Sequence, residues 1–597
     1  MTSHRSVPRR RPDTVPVANP VGVPFRPAPC PGRPRRGGHG TRGPRRPRPH
    51  APRLPLETRM TTFDLIDEPW LPLVCGSAVG EVSLADALLD AHEFGDLAGG
   101  QPTMAPTLLR QVLLPVVLDA LGPMTRDVWL RTFRARRFDA GQRDRIGGYL
   151  AEWRHRFDLF HPTAPFAQAA GLRTPSSRTR HVLATSPRRR DGTGPPAPSP
   201  APGLRPAEAA WWLLHVHCWD SAGIKTGALG DPHLVAGKTT GNPAGSLGGL
   251  GPVLPLGTTL FDTLLFNLPI GPATPGDSPQ WRRPPTGARW VSRPAVGPLD
   301  LLTWLSRRVL LLPVGGQGQP VRVRHAVVTA GDRLSGGVGE FEPHSVWTGG
   351  RVAEGDEPSW RPRRHVPGRL GWRGLSSMLA LNPTSGGEPS CPPRVLDVLG
   401  GLVGDEGVPD DYPLRLAGSG VVYGSKSGTV DDVLADTVSV PVRVLRSEEA
   451  RLRAAVAEVC QQAEELARAA NRLSERLLSG TGTDSPTWNG GEAVGDSVLA
   501  ALDTQVRRFL VKLSADAAVA GQGDVERLRT AWEAAAVGAL TRVVGPLLAT
   551  PAGTARTTGR QRVSAQLALG TFRRRVREIL PRARWSPEGL ASGQAEG

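Results

Sequence analysis

A glycine-rich segment at residues 236–245 (AGKTTGNPAG) has the composition of a backbone that approaches a nucleic-acid groove or a phosphate closely. Glycine has no Cβ, so nearby N–H groups can come within bonding distance of an acceptor. A lysine adds a point charge, while two threonines and an asparagine add short hydrogen-bonding side chains. The candidate binding residues are Gly237, Lys238, Thr239, Thr240, Gly241 and Asn242.

Two other interpretations of this segment stay open. It could end a phosphate-binding P-loop, GxxxxGK[ST], as found in nucleotide-hydrolysing enzymes that use a lysine equivalent to Lys238. That pattern requires glycine at position 232, where the chain has Pro232, so the sequence disfavours this enzyme class. The segment could also be a plain surface loop.

No group of residues stands out as catalytic or metal-binding. Three histidines and a cysteine lie near one another, but positions 215 and 217 face different sides of a predicted helix and no carboxylate–histidine spacing accompanies them. Packing is the favoured interpretation of His215, His217, Cys218 and His233. No Ser-His-Asp order or HExxH motif stands out either, so we expect no catalytic residue, metal or cofactor.

The formal net charge of +18 is unevenly distributed. Residues 1–59 contain fourteen arginines and two carboxylates, and therefore carry +12 of it. Proline and glycine are frequent there and little apolar surface can be buried, so this tail is predicted to be disordered. A compact pattern begins at Met60, which favours upstream sequence translated from a start codon assigned too early over a nucleic-acid arm or a targeting peptide. The mildly basic remainder can bind nucleic acid only through local patches.

Hydrophobic spacing divides the rest of the chain into two parts. Residues 60–440 alternate apolar helical segments with β-like runs and turns, which predicts a large mixed α/β domain. In residues 441–590, apolar residues recur every three or four positions in four successive segments. Four amphipathic helices must bury their apolar stripes against each other, so a four-helix bundle is predicted. The predicted fold class is α+β.

Seven segments, in this order along the chain, resemble the CasA family, the large subunit of the type I-E CRISPR Cascade complex. They are FDLIDEPWLPLV (63–74), VSLADALLDAHEF (82–94), LAGGQPTMAPTLLRQVLL (97–114), YLAEWRHRFDLFHPTAPFAQ (149–168), CWDSAGIKTGALGDPHLVAGKTTGNPAG (218–245), GDRLSGGVGEFEPHSVW (331–347) and VVYGSKSGTVDDVL (421–434). The resemblance extends over about residues 60–590 and implies a mixed α/β domain followed by the bundle.

The resemblance also implies a function and partners. The expected protein is a non-catalytic subunit that recognises the protospacer-adjacent motif in double-stranded DNA, helps to start unwinding and docks a helicase-nuclease. Its partners would be the other Cascade subunits and the 5′ handle of the guide RNA. A cytoplasmic location without membrane contact is expected. A nucleotide-hydrolysing enzyme and a purely structural scaffold remain the alternatives.

Members of this family contact the DNA minor groove through a glycine-rich loop, a basic finger and a glutamine wedge. The loop then corresponds to residues 237–242, and Arg333 lies near the position of the finger. The expected glutamine is absent from the wedge position, and serine is too short to hold a base step apart. That position falls in a predicted hairpin with the tip residues Ser425, Lys426, Ser427 and Gly428. The family's guide-RNA handle and assembly loop corresponds to Arg188, Arg189 and Arg190.

Overall fold

The computed structural model describes residues 61–175, 203–316, 319–349, 360–381, 390–404, 407–479, 494–517, 522–549 and 559–583. The predicted tail at residues 1–59 lies outside these ranges, and so do Arg188, Arg189 and Arg190.

The part of the chain before residue 441 mixes helices and strands, and the α+β fold class is confirmed. The strands are β1 (Leu71–Cys75), β2 (Ala78–Val82), β3 (Gly223–Thr226), β4 (Lys238–Asn242), β5 (Val253–Leu256), β6 (Ser292–Arg293), β7 (Arg307–Gly316), β8 (Gln319–Ala330), β9 (Arg333–Leu334), β10 (Trp347–Gly349), β11 (Trp360–Pro362), β12 (Ser390–Cys391), β13 (Pro413–Tyr423) and β14 (Val430–Pro441). The helices of this part are α1 (Leu84–Leu89), α2 (Met104–Leu108), α3 (Leu114–Leu121), α4 (Arg126–Ala135), α5 (Ala140–Trp153), α6 (Pro206–Trp219), α7 (Leu260–Asn267), α8 (Pro298–Leu302), α9 (Leu375–Met378) and α10 (Arg394–Gly400).

An apolar helical stretch, Met104–Leu121, lies in the core of this part. It joins α2 to α3 through a π-helical turn at Leu109–Leu113, and Pro115 stands in the first turn of α3. Proline lacks the N–H that an α-helix uses, so a helix start tolerates it best. The stretch is long and apolar enough to cross a membrane, but 78% of it is buried inside the protein. Its burial identifies it as a core helix.

The longest hairpin, β13–β14, extends from the core to the candidate site. Its strands pair antiparallel, and β5 pairs with the other edge of β13. Four apolar side chains at the base of the hairpin are buried, whereas most residues near its turn are half-buried or exposed. The hairpin is therefore anchored at its base, by Leu414, Leu416, Val438 and Val440.

Four long helices follow. They are α11 (Ala450–Ser479), α12 (Val494–Ala517), α13 (Gln522–Ala549) and α14 (Gly559–Ile579). Helix α11 packs against the other three, and α12 also packs against α13. The predicted helical region agrees with the structure, and the apolar stripe predicted on α11 is buried from Leu452 to Leu473. The closed four-helix bundle and the domain boundaries stay predictions.

Helix α13 continues through Pro546, although proline usually ends a helix. The proline lies in the last turn of α13, where few residues follow it. A proline near a helix end interrupts little of the hydrogen-bond ladder, so tertiary packing can override the local signal.

A buried glutamate ties the end of α14 to α11 and α13. Glu533 of α13 is fully buried and accepts hydrogen bonds from the backbone N–H groups of Arg582 (2.5 Å) and Ala583 (2.9 Å). Gln462 of α11 donates to Glu533 (3.1 Å) and to the carbonyl of Ile579 (2.8 Å). This polar cluster satisfies groups at the C-terminus of α14 that have no partner within the helix.

Candidate nucleic-acid interface

Strands β3 and β4 form a short antiparallel hairpin that contains the predicted glycine-rich segment. Lys225 lies opposite Thr239 on its inner face, and both side chains are buried. Successive side chains of a strand point to opposite faces, so Ile224, Lys238 and Thr240 lie on the outer face, where all three are exposed. The segment is therefore largely a paired strand, and the expectation of an open loop is wrong for residues 238–242.

Asn242 stabilises this hairpin from within. Its side-chain amide donates to the carbonyls of Gly223 (2.9 Å) and Thr239 (2.8 Å), and the residue is buried. Thr239 and Asn242, both predicted to bind a ligand, thus face the protein interior. The strand's alternation leaves Lys238 and Thr240 exposed, Gly241 is exposed as well, and Gly237 is half-buried.

A buried cluster of charges lies under the hairpin. The carboxylate of Asp220, at the end of α6, is 2.6 Å from Nε of Arg307 and 2.7 Å from Nζ of Lys225. Arg307 also donates to the carbonyls of Ser221 (2.9 Å) and Pro243 (2.8 Å), which flank the hairpin. All three charged residues are less than 5% exposed. The cluster therefore fixes both ends of the hairpin to the core.

Arg333, predicted as a basic finger, lies beside the same hairpin. Its Nη2 donates to the carbonyl of Thr240 (2.5 Å) and to Oδ1 of Asn242 (3.3 Å). Its guanidinium carbon is 3.8 Å from the ring centroid of Trp290, a cation–π contact, and His233 stacks on the same ring system. Burial lowers the pKa of Arg333 below its ordinary value. In this structure the side chain braces β4.

The turn between β13 and β14 contacts the start of β3. The N–H of Ala222 donates to the carbonyl of Ser427 (2.7 Å), and the hydroxyl of Tyr423 donates to the carbonyl of Trp219 (2.8 Å). Lys426 and Ser427 both have φ of +54°, a left-handed conformation that costs roughly 1–2 kcal/mol per non-glycine residue. Lys426 is exposed, so the turn presents a cation beside the outer face of β3–β4.

The predicted glycine segment, finger and wedge therefore meet at one place, although they are far apart in sequence. The outer face of β3–β4 and the adjoining turn are called the hairpin surface below. The chain has only four lysines, and two of them, Lys238 and Lys426, are exposed on this surface. Lys225 is buried beneath it, and Lys512 is exposed on α12.

Comparison with known proteins identifies the family. The family model for CRISPR-associated protein Cse1 matches residues 64–543. This chain belongs to the Cse1 family. A CasA/Cse1 protein of Thermus thermophilus is 32% identical over 378 residues, which are 60% of this chain and 67% of the relative. The crystal structure of Cse1 from Acidimicrobium ferrooxidans has a TM-score of 0.74 and 30% identity, covering 87% of this chain and 99% of that one. A chain of a solved CRISPR RNA-guided surveillance complex shares the fold, with a TM-score of 0.60, 21% identity and coverage of 86% and 99%.

In this Cse1 family member, the clustered histidines have packing roles. His215 Nε2 is 2.9 Å from the hydroxyl of Thr103, and His217 Nε2 donates to the carbonyl of Ala167 (3.0 Å). Burial lowers the pKa of both imidazoles to about 4, so both are neutral at neutral pH. Across the part of the chain that the structure describes, no group of three or more histidine, cysteine or acidic residues could hold a metal ion.

Several residues that shape the hairpin surface escaped the sequence-based prediction. Arg307 and Asp220 are 87 positions apart, and no local pattern signals such a pair. Trp290 likewise lies far in sequence from Arg333, which it supports. Ile224 did carry a signal, because it is a large apolar residue in a stretch that is otherwise small and polar. It is 63% exposed.

Proposed function

We propose that this Cse1 family member is the non-catalytic large subunit of a type I-E Cascade complex that recognises the protospacer-adjacent motif in double-stranded DNA. The observation that carries the proposal is the hairpin surface, where two of the chain's four lysines lie beside exposed Thr240 and Gly241. Lysines neutralise backbone phosphates, and short polar side chains on a narrow strand can reach base edges in the minor groove. The minor groove distinguishes few base pairs, which suits a reader of a short motif.

The partners follow from the same proposal. The relatives carry the names of CRISPR-associated proteins, and one solved relative by fold belongs to an RNA-guided surveillance complex. We therefore assign the other Cascade subunits and the 5′ handle of the guide RNA as partners, with Arg188, Arg189 and Arg190 as the handle contact. The helicase-nuclease would dock once the DNA is opened, and the complex would act in the cytoplasm.

The strand geometry around Lys238 argues against nucleotide hydrolysis. A P-loop leaves its N–H groups free for phosphates and continues into a helix. Here the N–H of Lys238 donates to the carbonyl of Val235 (2.9 Å), and the segment continues as strand β4. A phosphate could not be cradled by N–H groups that already have acceptors.

Replacing Lys238 and Thr240 together by alanine tests whether the hairpin surface recognises the motif. Losing one phosphate contact and one base-edge contact should weaken binding of the assembled, guide-loaded complex to motif-bearing duplex by about tenfold or more. Motif preference, measured with a randomised motif library, should flatten at the same time. Asn242 is kept, because its replacement would disrupt the hairpin itself.

Lys512→Ala is the matched control, since it removes the same charge from an exposed lysine on α12. The affinity of this variant complex for motif-bearing duplex should stay within about twofold of the parent value, and its motif preference should be unchanged. If the Lys238/Thr240 variant still discriminates fully between motifs, the hairpin surface is not the part of the protein that recognises the motif.

A further inference from the structure

A second cationic site lies next to the β13–β14 hairpin. Residues 360–381 contain five arginines and no aspartate or glutamate. Four of them line a cavity of about 50 Å³ together with His365 and Ser377, namely Arg363, Arg364, Arg369 and Arg373. This arginine cavity has no carboxylate among its lining residues.

Three of these four arginines differ from the chain's many paired arginines. Arg373 forms an ion pair with Glu464 at 2.6 Å. By contrast, no ion pair joins Arg363, Arg364 or Arg369 to a carboxylate within the described ranges, and the guanidinium of Arg363 donates to the hydroxyl of Ser377, at 2.7 Å. Three like charges around one small cavity repel each other, and an anion in the cavity would relieve that repulsion.

The backbone that carries these arginines is held firmly. The N–H of Arg363 donates to the carbonyl of Val346 (2.8 Å), and His365 Nε2 donates to the carbonyl of Pro252 (3.0 Å). The segment crosses Gly251 so closely that a Cβ there would lie 2.5 Å from the Arg363 carbonyl oxygen. A preorganised cationic site binds an anion without the cost of ordering a loop.

We propose that the arginine cavity binds a backbone phosphate of the target DNA. The lining of the cavity carries arginine side chains and no carboxylate, and guanidinium groups match phosphate geometry in a bidentate manner. His365 lies against Gly420 of β13, five residues before the turn residue Ser425. At ~3.4 Å per strand residue, the contact lies ~17 Å from the turn, about five base pairs of duplex. The inference rests on the proposed function.

Replacing Arg363, Arg364 and Arg369 by glutamine in the guide-loaded complex tests the site. Each neutralised phosphate contributes about 0.9 to the slope of log affinity against log salt, and the cavity binds one phosphate, so the slope should fall by about 1. Motif preference and guide-RNA content of the purified complex should stay unchanged. The double variant Arg364→Gln/Arg369→Gln, which keeps the contact between Arg363 and Ser377, should also lower the slope, by up to about 1.

The matched control replaces Arg131, Arg137 and Arg145, three exposed arginines that do not line the cavity, by glutamine. The slope of log affinity against log salt for this control complex should equal that of the parent complex. An unchanged slope in both cavity variants overturns the proposal, and so does a loss of guide RNA, which would assign the phosphate to RNA. Failure of the proposed function would appear differently, as absence of motif preference in the parent complex.

Ile224 supports a second, independent inference. Its side chain is 63% exposed at the centre of the hairpin surface, on the same face as Lys238 and Thr240. Ala222, two residues earlier, is hydrogen-bonded to the wedge turn at Ser427. Proteins that open or bend DNA through the minor groove insert apolar side chains such as isoleucine between base steps. We infer that Ile224 is the inserting side chain in this chain, whose wedge turn lacks a glutamine.

Ile224→Ser should slow opening of the base pairs next to the motif by about tenfold, because unstacking costs a few kcal/mol that the shorter side chain no longer offsets. The rate is measured by 2-aminopurine fluorescence in the guide-loaded complex. DNA carrying a premade mismatch bubble should restore the parent rate, and Ile224→Leu should behave as the parent. Leu229→Ser, at a residue 48% exposed, is the control. An unchanged opening rate in Ile224→Ser overturns the inference, while motif binding in the same complex reports separately on the proposed function.

Discussion

Replacing Asp220 by asparagine is expected to destabilise the protein by about 3–5 kcal/mol, because it removes the one carboxylate between two buried cations. Arg307 and Lys225 lie 2.6 Å and 2.7 Å from this carboxylate. Asparagine has nearly the same shape, so the loss reports on charge and not on volume. Because this charge cluster holds the β3–β4 hairpin, the hairpin should unfold in a larger fraction of molecules. Motif binding should fall in proportion to that fraction.

The measurement is urea unfolding, with Asp90→Asn as the matched control. Asp90 forms an ion pair with Arg143 at 3.0 Å, and both side chains are more than a third exposed. Exposed pairs contribute about 0–1 kcal/mol, so this variant should be nearly as stable as the parent. Equal urea midpoints for Asp220→Asn and Asp90→Asn would contradict the prediction. They would mean that water reaches the Asp220 cluster and screens its charges as it does those of an exposed pair.

Glu533→Ala is the second change with a large expected effect. It removes the acceptor of the backbone N–H groups of Arg582 and Ala583, and of the Gln462 side chain. Each buried donor left without a partner costs about 1–3 kcal/mol, so a total loss of about 3 kcal/mol or more is expected. The C-terminal end of α14 should separate first, because several of the contacts that hold it run through this carboxylate.

Hydrogen exchange along α14, combined with urea unfolding, checks this result. Glu526→Ala is the control. Glu526 lies on α13, as Glu533 does, but its side chain is half-exposed and pairs with Arg582 at 3.0 Å. That surface pair should contribute no more than about 1 kcal/mol. If α14 keeps its protection in Glu533→Ala, the remaining contacts of the helix end, such as the ion pair between Arg582 and Glu458 of α11, are sufficient to hold it.

Local periodicity was sufficient to predict the C-terminal helices. The 4,3 spacing on α11 is a property of neighbouring residues, and its stripe is buried as expected. The N-cap of α1 is a signal of the same local kind, because the side chain of Ser83 accepts a hydrogen bond from the N–H of Asp86, three residues later. Such signals need no knowledge of the rest of the chain.

The candidate site depends on contacts that no local pattern encodes. Glycines at positions 237 and 241 suggested an open loop, but pairing with β3 turned most of the segment into a strand with buried Thr239 and Asn242. Arg333 was placed near the site through family resemblance, yet its role as a brace depends on Trp290. Non-local partners decide which polar side chains remain available to a ligand.

The β13–β14 hairpin also gives the molecule a mechanical coupling. Strand β14 is twelve residues long, about 40 Å at ~3.4 Å per residue, and one end adjoins the exposed turn at Lys426. Along its length Asp436 is bonded to Arg507 of α12 at 2.8 Å. The same strand therefore adjoins the exposed turn at one end and is bonded to a helix of the C-terminal part along its length, so a displacement of the turn is expected to reach α12.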